Sequence, residues 1–197
     1  MREITISDKS EACDFIKDSC KECNRKYECT GENAAFCNHM KNILVAKYGA
    51  AEGCLKESRI RHSMGVANFL FAYAKSHDWS KEETEDLYLT GLLHDIGYID
   101  NPKGTDHGRL GAEILKRNGL NAEICELISC HGRFIENPSR KQALLWLADL
   151  CLNRDGDYIG YQKRYESIKE RYKNDPERLF QVYRILEYLQ IHFSEYR

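Results

Sequence analysis

Proline is scarce in this chain, with three in 197 residues, at Pro102, Pro138 and Pro176. Strand-like alternation of polar and apolar residues is nearly absent, which argues against a sheet-based fold. No apolar run approaches the roughly 18 residues of a membrane span. The opening stretch, MREITISDKSEACDF, has no apolar core behind a basic tip, so a secretory signal is not expected. Neither sign of charge dominates: 29 Lys and Arg face 31 Asp and Glu, for a formal net charge of -2. That balance excludes a generally basic nucleic-acid binder, although a local basic patch would survive it. Internal repeats and low-complexity segments are missing too. What remains is 42% apolar and 30% charged, the composition of a soluble globular domain. At this length the expectation is one domain, or one with a small appendage, burying about 70% of its unfolded surface.

Apolar residues recur at spacings of three and four almost throughout, which predicts an all-α fold. The spacing places helices at about 32–48, 57–76, 81–97, 107–118, 122–131, 139–153 and 176–195, with a weaker one at about 160–172. Ser80 with Glu83 reads as a capping box. Thr105 or Asp106 and Asn121 suit N-caps, and Gly49 and Gly119 suit helix ends. Asn137-Pro138 and Asp175-Pro176 each read as an N-cap followed by proline at the first helical position. The first thirty residues differ, being short of Leu, Ile and Val and rich in Cys, Lys and Glu. They read as an arm, residues 1–31, ahead of a helical bundle, residues 32–197.

Several ionisable residues lie in stripes that should face the core. His62 shares a helix face with Leu55, Val66, Phe69 and Leu70; His94 shares one with Leu87 and Gly91, and Asp95 is its neighbour. His107 is in line with Leu110, Gly111 and Ile114, His131 with Ile124, Leu127 and Ile128, and Asp149 with Leu145, Trp146 and Leu152. Taken singly, each histidine is explained by an ordinary hydrogen-bonded core position, and Asp149 by a helix cap. Buried unpaired, such groups cost several kcal/mol each. Five helices aiming them inward recover that cost together if the groups meet at a metal. Neutral imidazole with carboxylate is a common ligand set for Fe, Mn, Zn or Co. Helix neighbours point about 100° apart, so His94 and Asp95 can share an ion only near a helix end, which Gly97 supplies.

The segments Arg59-Ile-Arg-His62, Gly91-Leu-Leu-His-Asp-Ile-Gly-Tyr98, His107-Gly-Arg-Leu-Gly-Ala and Trp146-Leu-Ala-Asp149 resemble the HD superfamily of metal-dependent phosphohydrolases. The resemblance spans about residues 55–172. The tail from Asp155 to Tyr172 is similar to small HD hydrolases, and His-Gly-x-x-Gly-Ala is shared with the HD group that cleaves diadenosine tetraphosphate. The resemblance implies a helical bundle around one or two metals. His62, His94, Asp95 and Asp149 would hold the first ion; His107 and His131 would hold a second, with Asp95 bridging and acting at the catalytic centre. Paired ions would clamp a phosphate and lower the pKa of a bridging water. Two positions depart from the pattern: Tyr98 stands where many HD enzymes have lysine, and Cys130-His131 where some have a histidine pair.

Arg59, Lys103, Arg133 and Arg154 each lie within a few residues of a proposed ligand, so they are the candidate phosphate contacts. A nucleotide or another small phosphorylated metabolite is the expected substrate. In the arm, Cys20-Lys-Glu-Cys23 has the spacing of a zinc ligand pair, and Cys29 with Cys37 or His39 could complete a zinc or Fe–S site. The alternative is a set of reduced thiols. Cytosolic residence is expected, which disfavours disulfides among the nine cysteines. Cys54, Cys125, Cys130 and Cys151, and the aromatics Phe69, Phe71, Tyr73, Trp146, Tyr183 and Tyr188, read as core. The last helix either closes the bundle or pairs with a second subunit as a homodimer. Two rival functions fit the same residues: a non-catalytic nucleotide sensor switched by the Cys arm, and a two-iron oxygenase on the HD fold.

Overall fold

A computed structural model describes residues 57–99, 104, 106–117 and 119–197. The expected 32–48 helix, the cysteine arm with its boundary at residue 31, and Cys54 lie outside these. The described elements are all helical: α1 Glu57–Ser76, α2 Lys81–Leu93, α3 His107–Arg117, α4 Ala122–Cys130, α5 Arg140–Cys151, α6 Tyr161–Arg171 and α7 Pro176–His192. Short 3-10 turns, Ile96–Ile99 and Ser194–Tyr196, follow α2 and α7. Among the described residues, extended pairing is confined to one isolated bridge between Leu152 and Tyr158.

Capping explains most helix starts. The Ser80 hydroxyl accepts from the Glu83 backbone N–H, and the Glu83 carboxylate accepts from the Ser80 N–H in return. Asn121 caps α4, and Asp175 caps α7 with Pro176 in its first turn. The expected cap at Asn137 is not formed. Asn137 instead takes a left-handed backbone, φ 55°, which asparagine tolerates in turns, and Ser139 caps α5 by accepting from the Gln142 N–H. α2 stops at Leu93, not at 97, so the His94-Asp95 pair sits just past the helix end and not within it.

Gly97 lets the chain beyond that end pack closely. A β-carbon there would collide with the His107 carbonyl oxygen and lie 2.6 Å from the Gly111 nitrogen. The turn after Asp95 therefore rests directly on the first turn of α3, which delivers His107 beside Asp95. A second close approach involves Gly156, at φ 84°. A β-carbon on Gly65 would lie 2.6 Å from the Gly156 carbonyl oxygen, so the 153–157 loop lies flat on α1 beside His62.

α5 is buried almost throughout, from Gln142 to Ala148 and again at Leu150 and Cys151. A helix that is apolar all round belongs at the centre of its bundle. One apolar cluster joins α1, α2, α3 and α4; another joins α1, α5, α6 and α7. Ile185, Leu186 and Leu189 close α7 onto the second cluster, while Phe180, Tyr183 and Ile191 stay exposed. Tyr183 is thus a surface residue, in contrast to its core expectation. It falls on the α7 face turned away from α5.

Candidate metal centre

The backbone aims the imidazoles. His62 donates from Nδ1 to the Asn153 carbonyl at 2.8 Å, and His94 to Gly91 at 2.8 Å. His107 donates to Gly104 at 3.0 Å and His131 to Ile128 at 2.6 Å. A carbonyl only accepts, so each Nδ1 carries the proton and each Nε2 is left with a lone pair. All four Nε2 atoms point into one volume with the Asp95 and Asp149 carboxylates. Second-sphere anchoring of this kind orients metal-ligating histidines.

The donor atoms fall into three overlapping trios whose members lie within 4.8 Å of one another: His62, His94 and Asp95; His94, His131 and Asp149; and Asp95, His107 and His131. Asp95 Oδ1 lies 3.5 Å from His107 Nε2 and 3.8 Å from His131 Nε2, while its Oδ2 lies 3.6 Å from His94 Nε2. Its two oxygens thus face two different groups of ligands. His62 Nε2 lies 2.9 Å from Asp149 Oδ1, and His107 Nε2 lies 2.8 Å from His131 Nε2. These contacts set lone pair against lone pair unless a cation lies between. Nitrogens about 2.1 Å from a shared ion sit roughly 3 Å apart, so the spacing suits a metal. His94 Nε2 is buried without a hydrogen-bond partner, a polar atom that a metal would satisfy.

Electrostatics favour the ligand forms. Burial alone would raise the Asp95 carboxyl, but His94 and Arg59 beside it hold it well below the usual carboxylate range. Asp149 is lowered likewise: burial would raise it, but the close approach of His62 and the neighbouring His94 outweigh that. Burial, with His131 alongside, pushes His107 down to about 4. Burial also lowers His94. His131 goes the other way: the Asp95 carboxylate outweighs its burial.

Asp95, His107, His131 and Asp149 of the cluster form the floor of a cavity of about 430 Å³, within the range of small-molecule sites. Arg59 lies at its edge, bonded from Nη1 to Asp95 Oδ2 at 2.8 Å and stacked 3.8 Å above the Tyr98 ring. Tyr98 in turn stacks on His107 at 4.2 Å, so the tyrosine found where lysine is common braces a candidate ligand. Arg133 lines the cavity but is exposed, and its Nη2 meets Cys130 Sγ at 3.7 Å. Arg154 is exposed and is not part of the cavity wall. The Asn153-centred turn, in which Asn153 Oδ1 accepts from the Asp155 and Asp157 N–H groups, carries it to the surface. Lys103 and the candidate thiolates Cys20, Cys23, Cys29 and Cys37 lie outside the described residues. Cys125 and Cys151 are buried and Cys130 half-buried.

Arg164, Arg171 and Arg178 also line the cavity, and sequence reasoning missed them. Arg164 had a signal: Tyr161, Arg164 and Ile168 form the buried stripe of α6, a cation on an apolar face like the histidines. Arg178, in the first turn of α7, had none.

Among curated proteins, the chain is 35% identical over 92 residues to Ribonuclease Y of Fervidobacterium nodosum, a match covering 42% of this chain and 18% of that one. It is 31% identical over 77 residues to an uncharacterized protein of Methanocaldococcus jannaschii, covering 38% and 45%. The chain thus spans less than half the length of these relatives. No solved structure matches significantly. Among the described residues, no helix is long and apolar enough to cross a membrane. The HD domain model matches residues 59–182, more than half of the chain, and takes in the whole His/Asp cluster: this chain belongs to the HD domain family.

Proposed function

We propose that the chain is a metal-dependent phosphohydrolase that cleaves a phosphomonoester or phosphoanhydride of a nucleotide or other small phosphorylated metabolite. The observation that carries this reading is the convergence of four Nε2 atoms and two carboxylates, with Asp95, His107, His131 and Asp149 among them lining an arginine-rich cavity. His62, His94, Asp95 and Asp149 would hold one ion, and His107 and His131 a second, with Asp95 serving both. Bound divalent cations, whether Fe, Mn, Co or Zn, would supply Lewis-acid activation of water and of the phosphoryl group. The chain's own residues do the positioning. The Nδ1 bonds fix the imidazoles, Arg59 holds Asp95 ionised and oriented, and Tyr98 braces His107. Arg133, which lines the cavity, would meet substrate oxygens; Arg154 is not part of the cavity wall.

A ribonuclease among the relatives raises RNA as an alternative substrate. The matched segment is 18% of that protein, and the cavity here is sized for a small molecule. The test is metal content per chain in protein purified without oxygen, for wild type and Asp95→Ala, followed by phosphate release from nucleotides, sugar phosphates and short RNA. Metal present in wild type and absent from the variant, with release from a small ester, is the expected result. A wild type that takes up no metal overturns the reading.

A further inference from the structure

The wall of the cavity opposite in chemistry to its floor is formed by α6 and α7. Arg164 is 4% exposed, and its Nε is buried without a hydrogen-bond partner. Arg171 and Arg178 flank Tyr172, their guanidinium carbons 5.7 and 4.3 Å from its ring centroid. Arg178 also donates to the Gly104 carbonyl. Burial works hardest against the Arg164 cation; Asp149 favours it, while Arg171 and Arg59 oppose it.

The carboxylates that line the same cavity are engaged elsewhere. Asp106 holds Arg109 at 2.6 Å, and Asp175 caps α7 by accepting from the Arg178 N–H at 3.1 Å. Glu177 accepts from Gln181 at 3.1 Å, and Asp149 meets His62 at 2.9 Å. Among the described residues, no carboxylate forms an ion pair with Arg164, Arg171 or Arg178. A buried guanidinium without a counter-charge is costly, and three cations on one wall multiply the effect. Guanidinium groups converging on a cavity match the oxygens of a phosphate or carboxylate.

We propose that Arg164, Arg171 and Arg178 form an anion subsite distinct from the His/Asp cluster. Resting on the hydrolase reading, it identifies the substrate class as a small molecule with two anionic groups. One is the scissile phosphoryl at the cluster; the other is a phosphate or carboxylate held by the α6–α7 arginines. The cavity of about 430 Å³ has room for more than the phosphoryl group alone.

The experiment is calorimetric titration of the full chain, as purified, with inorganic phosphate at low ionic strength. Wild type, Arg164→Gln, Arg171→Gln and His131→Gln are compared, with circular dichroism melts to verify folding. Saturable binding is expected to persist in His131→Gln, to weaken at least tenfold in Arg164→Gln and severalfold in Arg171→Gln. Arg171 is half-buried, so it decides the matter if Arg164→Gln does not fold. Arginine variants that bind phosphate as wild type does, or wild type and His131→Gln that bind none, overturn the subsite. Loss in His131→Gln alone sinks the subsite and leaves the hydrolase reading standing. Arginine-dependent binding by a protein that releases phosphate from no ester does the reverse.

Discussion

The floor and the wall of the cavity handle buried polarity in opposite ways. On the floor, each imidazole is tethered through Nδ1 to a backbone carbonyl, and carboxylates alternate with nitrogens. On the wall, three guanidinium groups line the cavity, and among the described residues no carboxylate forms an ion pair with them. The floor's geometry is written into helix ends and turns, so it stays rigid with its lone pairs turned inward, ready for cations. The wall is held by long side chains over an apolar helix face and presents donors ready for anions. Binding a cation and an anion side by side would need both kinds of preparation, and they are made by different means.

The sharpest way to break this contrast is at the floor. Asp95→Ala removes the carboxylate that faces both groups of imidazoles and holds Arg59. Metal-based charge stabilisation is worth several kcal/mol, so phosphate release should fall by at least about a thousandfold. Metal content should fall with it. Retained metal and retained turnover would remove Asp95 from the centre.

Acid should loosen the floor before the wall. His107 lies at about 4 in the folded chain against 6.5 for the free side chain, so the unfolded chain binds more protons between those values. Its contribution to stability is therefore complete above about pH 6.5 and is lost as pH falls toward 4, amounting to about 3 kcal/mol. His94, also lowered, adds to the same loss; His131, raised, opposes it. Thermal melts in chelating buffer from pH 7 to 4 should show the decline, and His107→Gln should flatten it. An unchanged slope in the variant would contradict this assignment.

The contrast also marks what the sequence makes legible. The floor could be read because its residues violate the helical pattern in one consistent way: His62, His94, His107, His131 and Asp149 are ionisable groups on apolar stripes. The Nδ1 anchors could not be assigned in advance, since the His62 acceptor, Asn153, is 91 residues away. Proximity in sequence misled at Arg154, which the Asn153 turn carries outward although it is only five residues from Asp149. The α6–α7 wall closes over the site only through the packing of the whole bundle. Arg164 alone left a trace there, as a cation on a buried stripe. The helix ends at Leu93, ahead of the Gly97 that marks an end in the sequence, and the contact of Gly97 with α3 is one that no local signal reports.

The tethers can be loosened without touching a candidate ligand. Asn153→Ala removes the oxygen that accepts from the Asp155 and Asp157 N–H groups and so frees the carbonyl that orients His62. Loss of a second-sphere partner typically weakens metal affinity by about 10–100-fold. Competition with a chromophoric chelator should show a loss in that range; wild-type affinity would mean that the backbone holds the turn unaided.

Arg164→Met should separate the wall from the floor by its sign. Replacing an uncompensated buried charge with an apolar side chain of similar length is expected to leave stability unchanged or raise it by about 1 kcal/mol, while metal content stays at the wild-type level. A strongly destabilised variant would show that Arg164 has a structural partner in the fold.

The smallest effect belongs at the far end of α2. Ser80→Ala breaks the reciprocal bonds with Glu83 and should cost about 1 kcal/mol, a few degrees of melting temperature for a chain of this size. His94 lies beyond the other end of that helix, about 20 Å away at 1.5 Å per residue. Fraying at Ser80 should be arrested by the buried run from Leu87 to Leu93 before it reaches the imidazole. Metal content should therefore match wild type, although stability falls. If it drops as it does in Asp95→Ala, the floor depends on overall stability and its contrast with the wall dissolves. If it holds, the candidate centre is fixed by its own tethers, and the losses in Asp95→Ala and Asn153→Ala are local in origin.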